Sequence, residues 1–109
     1  MLRTVPDEQV TMVNRDGETV TVALHGEVDV LNVDQVRQAL TEALAGRPRH
    51  IVVDLAGLAF IDSTGLGALI FGFQRSRDAG VTFRLARPSD GVRQILILSG
   101  LLEVVELTP

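Results

Sequence analysis

The run Ile51-Val52-Val53-Asp54-Leu55 constrains the fold of this chain more than any other stretch. It is nearly continuous in apolar residues and does not alternate, the pattern of a strand buried on both faces, as in a parallel sheet. Beyond it, Leu66-Gly67-Ala68-Leu69-Ile70-Phe71 is long enough for a buried helix, and the spacing predicts a helix from Thr64 to Ala79 closed by Gly80. Val81-Thr82-Phe83-Arg84-Leu85 then alternates as a strand. Strand, helix and strand in that order imply a right-handed parallel crossover.

The rest of the chain supplies the neighbours. Val10 to Val13 and Thr19 to Leu24 are β-prone, and Asp16-Gly17 between them tolerates positive φ, so the two runs predict a hairpin. In the second run Val20, Val22 and Leu24 alternate with Thr19, Thr21 and Ala23, giving one apolar face. Asn32 and Gln35 match the N-cap and N3 positions of a capping box, and Val33, Val36, Leu40, Ala43 and Leu44 recur at helical spacing until Gly46. That predicts a helix from Val33 to Ala45. Pro88-Ser89 opens a third helix capped by Ser89, with Val92, Ile95, Leu96 and Leu98 as its apolar face until Gly100. Val104 to Leu107 reads as a short last strand, after which Thr108-Pro109 leaves no length for a further helix. The expected fold is a single α/β domain over residues 1–109, a mixed sheet in the order ββαβαβαβ flanked by helices.

Composition narrows the function. At 109 residues and 46% hydrophobic, the chain can bury a core without metal or disulfide support. It has no cysteine, so neither a disulfide framework nor a thiolate nucleophile is available, which fits a reducing, cytoplasmic setting. Met1 to Glu8 holds no apolar block of signal-peptide length, and no segment is apolar for the roughly 18 residues that span a bilayer, so neither secretion nor membrane insertion is expected. The net charge of −4, the scattered arginines and four phenylalanines as the only aromatics argue against nucleic-acid binding, which needs clustered positive charge and stacking platforms. A protein or small-molecule partner fits better, and no cofactor is implied.

The chemistry concentrates in Phe60-Ile61-Asp62-Ser63-Thr64-Gly65-Leu66-Gly67, which puts two adjacent hydroxyls at a strand-to-helix corner. Unpaired N–H groups and the helix dipole make such a corner favourable for a phosphate. Ser and Thr at a helix start also serve as plain caps. A helix needs one cap, so at least one of Ser63 and Thr64 is surplus to local structure. Gly65 and Gly67, each unfavourable in a helix by about 0.5–1 kcal/mol against alanine, imply a close approach, either within the protein or by a partner. A second polar corner, His25-Gly26-Glu27-Val28-Asp29-Val30, either simply turns the chain or, if its strand neighbours the Ile51 strand, brings Asp29 beside Asp62 and Ser63.

Gly26-Glu27-Val28-Asp29, the stretch from Val53 to Gly67 with its Asp62-Ser63-Thr64-Gly65-Leu66-Gly67 element, and Arg93 with Ile95, Leu96 and Gly100-Leu101 resemble the bacterial anti-sigma factor antagonists of the STAS domain family. The resemblance runs from about Val10 to Leu107, and the closing helix common in that family is expected to be truncated or absent here. It implies a non-enzymatic antagonist that binds an anti-sigma factor serine kinase when unphosphorylated, so releasing a sigma factor. Phosphorylation of Ser63 inactivates it and a phosphatase restores it. Thr64 is a secondary acceptor or the cap, and Asp62 orients the hydroxyl, meets a nucleotide-bound metal on the kinase, or faces the helix dipole. Glu27, Asp29, Asp62, Ser63, Thr64, Gly65 and Leu66 form the partner-binding set, with Leu66 either on that surface or in the core. A monomer or weak dimer is expected.

Other classes fit less well. A receiver with Asp54 as phosphoacceptor begins with a strand feeding a helix, whereas this chain begins with a hairpin. No Gly-Lys-Ser/Thr follows Gly65 or Gly67, and Ser63 lacks the preceding glycine of a nucleophile elbow. His25 and His50, with no cysteine, make a weak metal set. The alternative within the family is a scaffold or adaptor in a stress-signalling assembly or a lipid-transport complex.

Overall fold

A computed structural model of the chain describes residues 9–108. Gly17, at a φ of +62°, makes the two-residue connection between β1 (Thr11–Asp16) and β2 (Thr19–Val28). The order continues with α1 (Val33–Ala45), β3 (His50–Ile61), α2 (Ser63–Asp78), β4 (Thr82–Ala86), α3 (Asp90–Leu98), a 3₁₀ turn at Leu101–Glu103 and β5 (Glu106–Thr108). The five strands lie side by side in chain order, β1 antiparallel to β2 and every later pair parallel. The mixed sheet and the order ββαβαβαβ are those expected from the sequence.

One face of this sheet makes the core. Val20, Val22 and Leu24 of β2, Ile51, Val53 and Leu55 of β3 and Phe83 and Leu85 of β4 are all buried. They join Val36, Leu40 and Ala43 of α1, Ala68 and Leu69 of α2, and Val92 and Leu96 of α3 in a single cluster. The alternate residues Thr21, Val52, Asp54 and Arg84 are only half-buried. The expectation that the Ile51 strand is covered on both faces is therefore corrected: the helices pack on one side, and the apolar Val52 sits on the other. Gly72 lets α1 and α2 come close, since a Cβ there would lie 2.8 Å from Leu40 Cδ1 and 3.0 Å from Phe83 Cε2.

Two features of β3 were not expected. The strand runs to Ile61, well past Leu55, and its pairing with β2 slips twice. Between Ala23 and His25 of β2 the partners advance from Asp54 to Gly57, and between Gly26 and Glu27 they advance from Leu58 to Phe60. Each slip puts one extra residue on β3, a bulge that bends the strand. Buried positions consequently fall at Leu55, Leu58 and Ile61, three residues apart instead of two. β4 pairs only as far as Asp54, so above that level β2 and β3 continue as a two-stranded ribbon.

The chain's end also differs from expectation. Gly100, at a φ of +81°, ends α3, and Leu101 then starts the 3₁₀ turn, so Val104 lies outside the last strand.

Candidate functional site

The ribbon ends where the two polar corners meet. Val28 and Ile61 are paired, and the Asp62 N–H donates to the Val28 carbonyl at 3.2 Å, which brings Asp29 alongside Asp62 and Ser63. This is the juxtaposition expected if the two strands neighboured each other.

Asp62 is the cap of α2. It has an extended backbone and its Oδ1 accepts from the Gly65 N–H at 2.9 Å, while its carbonyl accepts the Leu66 N–H at 2.9 Å. Thr64 is therefore not the cap; it is the second helical residue and half-buried. With Asp62 capping, both hydroxyls are free of that duty. Ser63, the first helical residue, is exposed, at the end where unpaired N–H groups and the dipole favour negative charge.

The two glycines divide the close-approach readings between them. A Cβ on Gly65 would lie 2.5 Å from Ile61 Cγ1 and 2.9 Å from Val28 Cγ1, so this glycine seats the first turn of α2 against the ribbon and is itself buried. It is therefore buried and not exposed as the expected partner-binding set had it. Nothing lies within 4 Å of a Cβ on Gly67, which leaves the outer side of the helix flat. Leu66 is half-buried and packs against the core.

The loop after β2 is held by Asn32. The expected capping box does not form: Asn32 makes no side-chain bond into α1, and Gln35 Oε1 instead accepts from the Val10 N–H at 3.0 Å. Asn32, 6% exposed, turns outward from the helix, its Nδ2 donating to the Glu27 carbonyl at 2.8 Å and its Oδ1 accepting from the Asp29 N–H at 2.9 Å. Asp29 Oδ1 accepts from the Leu31 N–H at 3.0 Å. The loop so fixed presents Val30 and Leu31, 70% and 67% exposed, and β3 adds the exposed Phe60 opposite Glu27. Sequence reasoning missed these exposed apolar side chains. The signal was present in Val30-Leu31, a bulky apolar pair between the polar residues Asp29 and Asn32.

Three residues weighed for other chemistry have structural roles. Asp54 is clasped by Arg87 through Nε and the terminal nitrogen and accepts the Ala56 N–H at 3.1 Å. The guanidinium holds its carboxyl below the ordinary carboxylate range, against the opposing effect of burial. His50 Nδ1 lies 2.7 Å from Thr82 Oγ1. His25 stands opposite Gly57, whereas His50 stands opposite Thr19, six residues and about 20 Å away along β2, so the two histidines share no site.

A family model described as the STAS domain matches residues 10–109. The "Anti-sigma F factor antagonist" of Lysinibacillus sphaericus is 40% identical over 96 residues, 85% of this chain and 79% of that protein. The crystal structure of an anti-sigma factor antagonist from Mycobacterium paratuberculosis superimposes with a TM-score of 0.82 at 25% identity, over 91% of this chain and 84% of the other. The Bacillus cell fate determinant SpoIIAA, solved in its phosphorylated form, gives 0.70 at 26% identity over 91% of each chain. The first two of these relatives are named for antagonising an anti-sigma factor. By this match, which covers the sheet, the helices and the Ser63 corner alike, the chain belongs to the STAS domain family.

Proposed function

We propose that this protein is a cytoplasmic anti-sigma factor antagonist switched at Ser63. Unphosphorylated, it binds an anti-sigma factor that is also a serine kinase, through Glu27, Asp29, Asp62, Thr64 and the apolar side chains around them, and a sigma factor is released. The observation that carries the reading is the Asp62 cap: it completes the helix start by itself and leaves the exposed Ser63 hydroxyl with no structural task. Relatives named anti-sigma factor antagonists support it, as does one solved in a phosphorylated form.

A phosphoryl group on Ser63 brings about −1.5 to −2 charges. The N-terminus of α2 tolerates that charge within the protein, but Asp62 and Asp29 already make the same edge acidic. Across an interface the group adds bulk, repulsion and a desolvation cost, so the complex dissociates with little refolding of the antagonist. A phosphatase then resets the serine.

Incubation with ATP, Mg²⁺ and a cognate anti-sigma kinase, read by intact-mass and peptide mass spectrometry beside Ser63→Ala, tests the assignment. One phosphate on Ser63, absent in the variant, is expected. Binding without phosphoryl transfer would instead make the protein a scaffold.

A further inference from the structure

Val30 and Leu31 are the central residues of a turn closed by the Asn32 N–H, which donates to the Asp29 carbonyl at 3.1 Å. Such positions usually hold glycine, proline, asparagine, aspartate or serine. Here they hold two bulky apolar side chains, 70% and 67% exposed, and neither is among the residues packed on the core. Phe60, on the ribbon opposite Glu27, is a third apolar side chain left open, at 46%.

The turn is nonetheless held on both sides. The Asn32 amide bonds the Glu27 carbonyl and the Asp29 N–H, and Asp29 Oδ1 accepts from the Leu31 N–H. The Asp29 carbonyl takes a second bond, from the Val33 N–H at 2.9 Å, which ties the turn to the start of α1. On the other side the Val28 carbonyl accepts the Asp62 N–H, which ties it to the start of α2. Val30 and Leu31 lie within two residues of Asp29, and so are presented at a set position next to the Ser63 corner.

The surroundings select what covers them. Glu27, Asp29 and Asp62 are carboxylates of this corner, and neither residues 25–36 nor residues 50–74 contain an arginine or a lysine. A kinase that reaches Ser63 must lie over the same corner. We infer that Val30 and Leu31 are the docking anchor for the anti-sigma kinase, seated in an apolar cleft of that partner edged by arginine or lysine. The inference rests on Ser63 as the acceptor and divides the labour at the corner: the serine is modified, and the turn holds the enzyme. A turn fixed before binding loses little freedom on association. Its contact is the same before and during phosphoryl transfer, so it lowers KM and leaves kcat alone. The carboxylates around it make that docking weaken as salt rises.

The test combines Val30→Ser with Leu31→Ser, which a turn accepts without unfolding, and uses the kinase that phosphorylates the natural protein. Phosphorylation of Ser63 is timed by mass spectrometry over a range of antagonist concentrations, and binding is read by calorimetry. The expected result is a KM and a Kd raised about tenfold or more, with kcat within about twofold and an unchanged circular dichroism spectrum. Leu31→Met alone, which keeps the apolar volume, should hold KM within about threefold. A double variant whose KM stays within about threefold of the natural value overturns the inference and leaves the Ser63 reading intact. So does a fall in kcat at constant KM, which would place the pair in the transfer step. A changed self-association at constant KM would put a second copy on the turn and overturn it too. If a kinase binds the natural protein without modifying it, the Ser63 reading fails and the Kd of the double variant alone decides the anchor.

Discussion

Gly65→Ala and Gly67→Ala make the same chemical change two residues apart on one helix, and the structure assigns them opposite signs. In a helix interior alanine is favoured over glycine by roughly 0.5–1 kcal/mol. At Gly67 the new methyl meets nothing within 4 Å, so that gain is kept whole. At Gly65 it would lie 2.5 Å from Ile61 Cγ1 and 2.9 Å from Ile61 Cδ1 and Val28 Cγ1. Both neighbours are fully buried and β-branched, with little freedom to rotate aside. Overpacking of this kind costs about 1–3 kcal/mol. The net expectation is a loss of about 1–2 kcal/mol at Gly65, and a gap of about 2 kcal/mol between the variants. With no tryptophan or tyrosine in the chain, the assay is urea unfolding followed by far-UV circular dichroism. Each kcal/mol moves the thermal midpoint of a domain this size by roughly 4–8 °C. Equal stability of the two variants would refute the argument that α2 is seated on the ribbon through Gly65.

Asp62→Ala removes the α2 cap and should lower stability by about 1 kcal/mol in the same assay, with Asp62→Asn retaining most of it. Asn32→Ala unpairs the part-buried Glu27 carbonyl and Asp29 N–H, costing about 1 kcal/mol, with faster exchange of the Asp29 amide. The Asp54 carboxyl is held below its ordinary value by Arg87, so the unfolded chain takes up that proton first as pH falls. The pair's contribution is complete above about pH 4 and is lost as acidity increases through the folded value. Urea midpoints measured from pH 6 to pH 3 should fall more steeply for the natural protein than for Asp54→Asn.

The sequence made the fold legible wherever a local pattern and the tertiary packing agree. The bounds of α1 follow from the period of Val33, Val36, Leu40 and Ala43, and Ser89 caps α3 as its position predicted, accepting the Val92 N–H at 3.2 Å. The parts that were not legible are settled by partners distant in sequence. Asn32 has the sequence context of a cap, yet the two main-chain groups it satisfies belong to the end of β2 and the loop after it. The apolar run from Ile51 to Leu55 shows only the first part of β3, because pairing with β2 through two bulges carries the strand on to Ile61. The Ser63 corner was legible as a strand-to-helix turn because paired hydroxyls at a helix start are a local feature. That Asp62 would be the cap, and Gly65 a buried contact, depended on where Val28 comes to lie.

The one-sided sheet and the doubled bulge in β3 together set a pattern that selection would write into any collection of variants of this protein. Along β2 and the lower half of β3, tolerance should alternate strictly, with polar replacements accepted at Thr19, Thr21 and Val52 and rejected at Val20, Val22, Ile51 and Val53. Past Leu55 the rhythm changes from two to three, with rejection at Leu58 and Ile61 and acceptance between them. That change of beat, readable in a deep mutational scan with no structure at hand, marks the residue at which the core sheet gives way to the two-stranded ribbon.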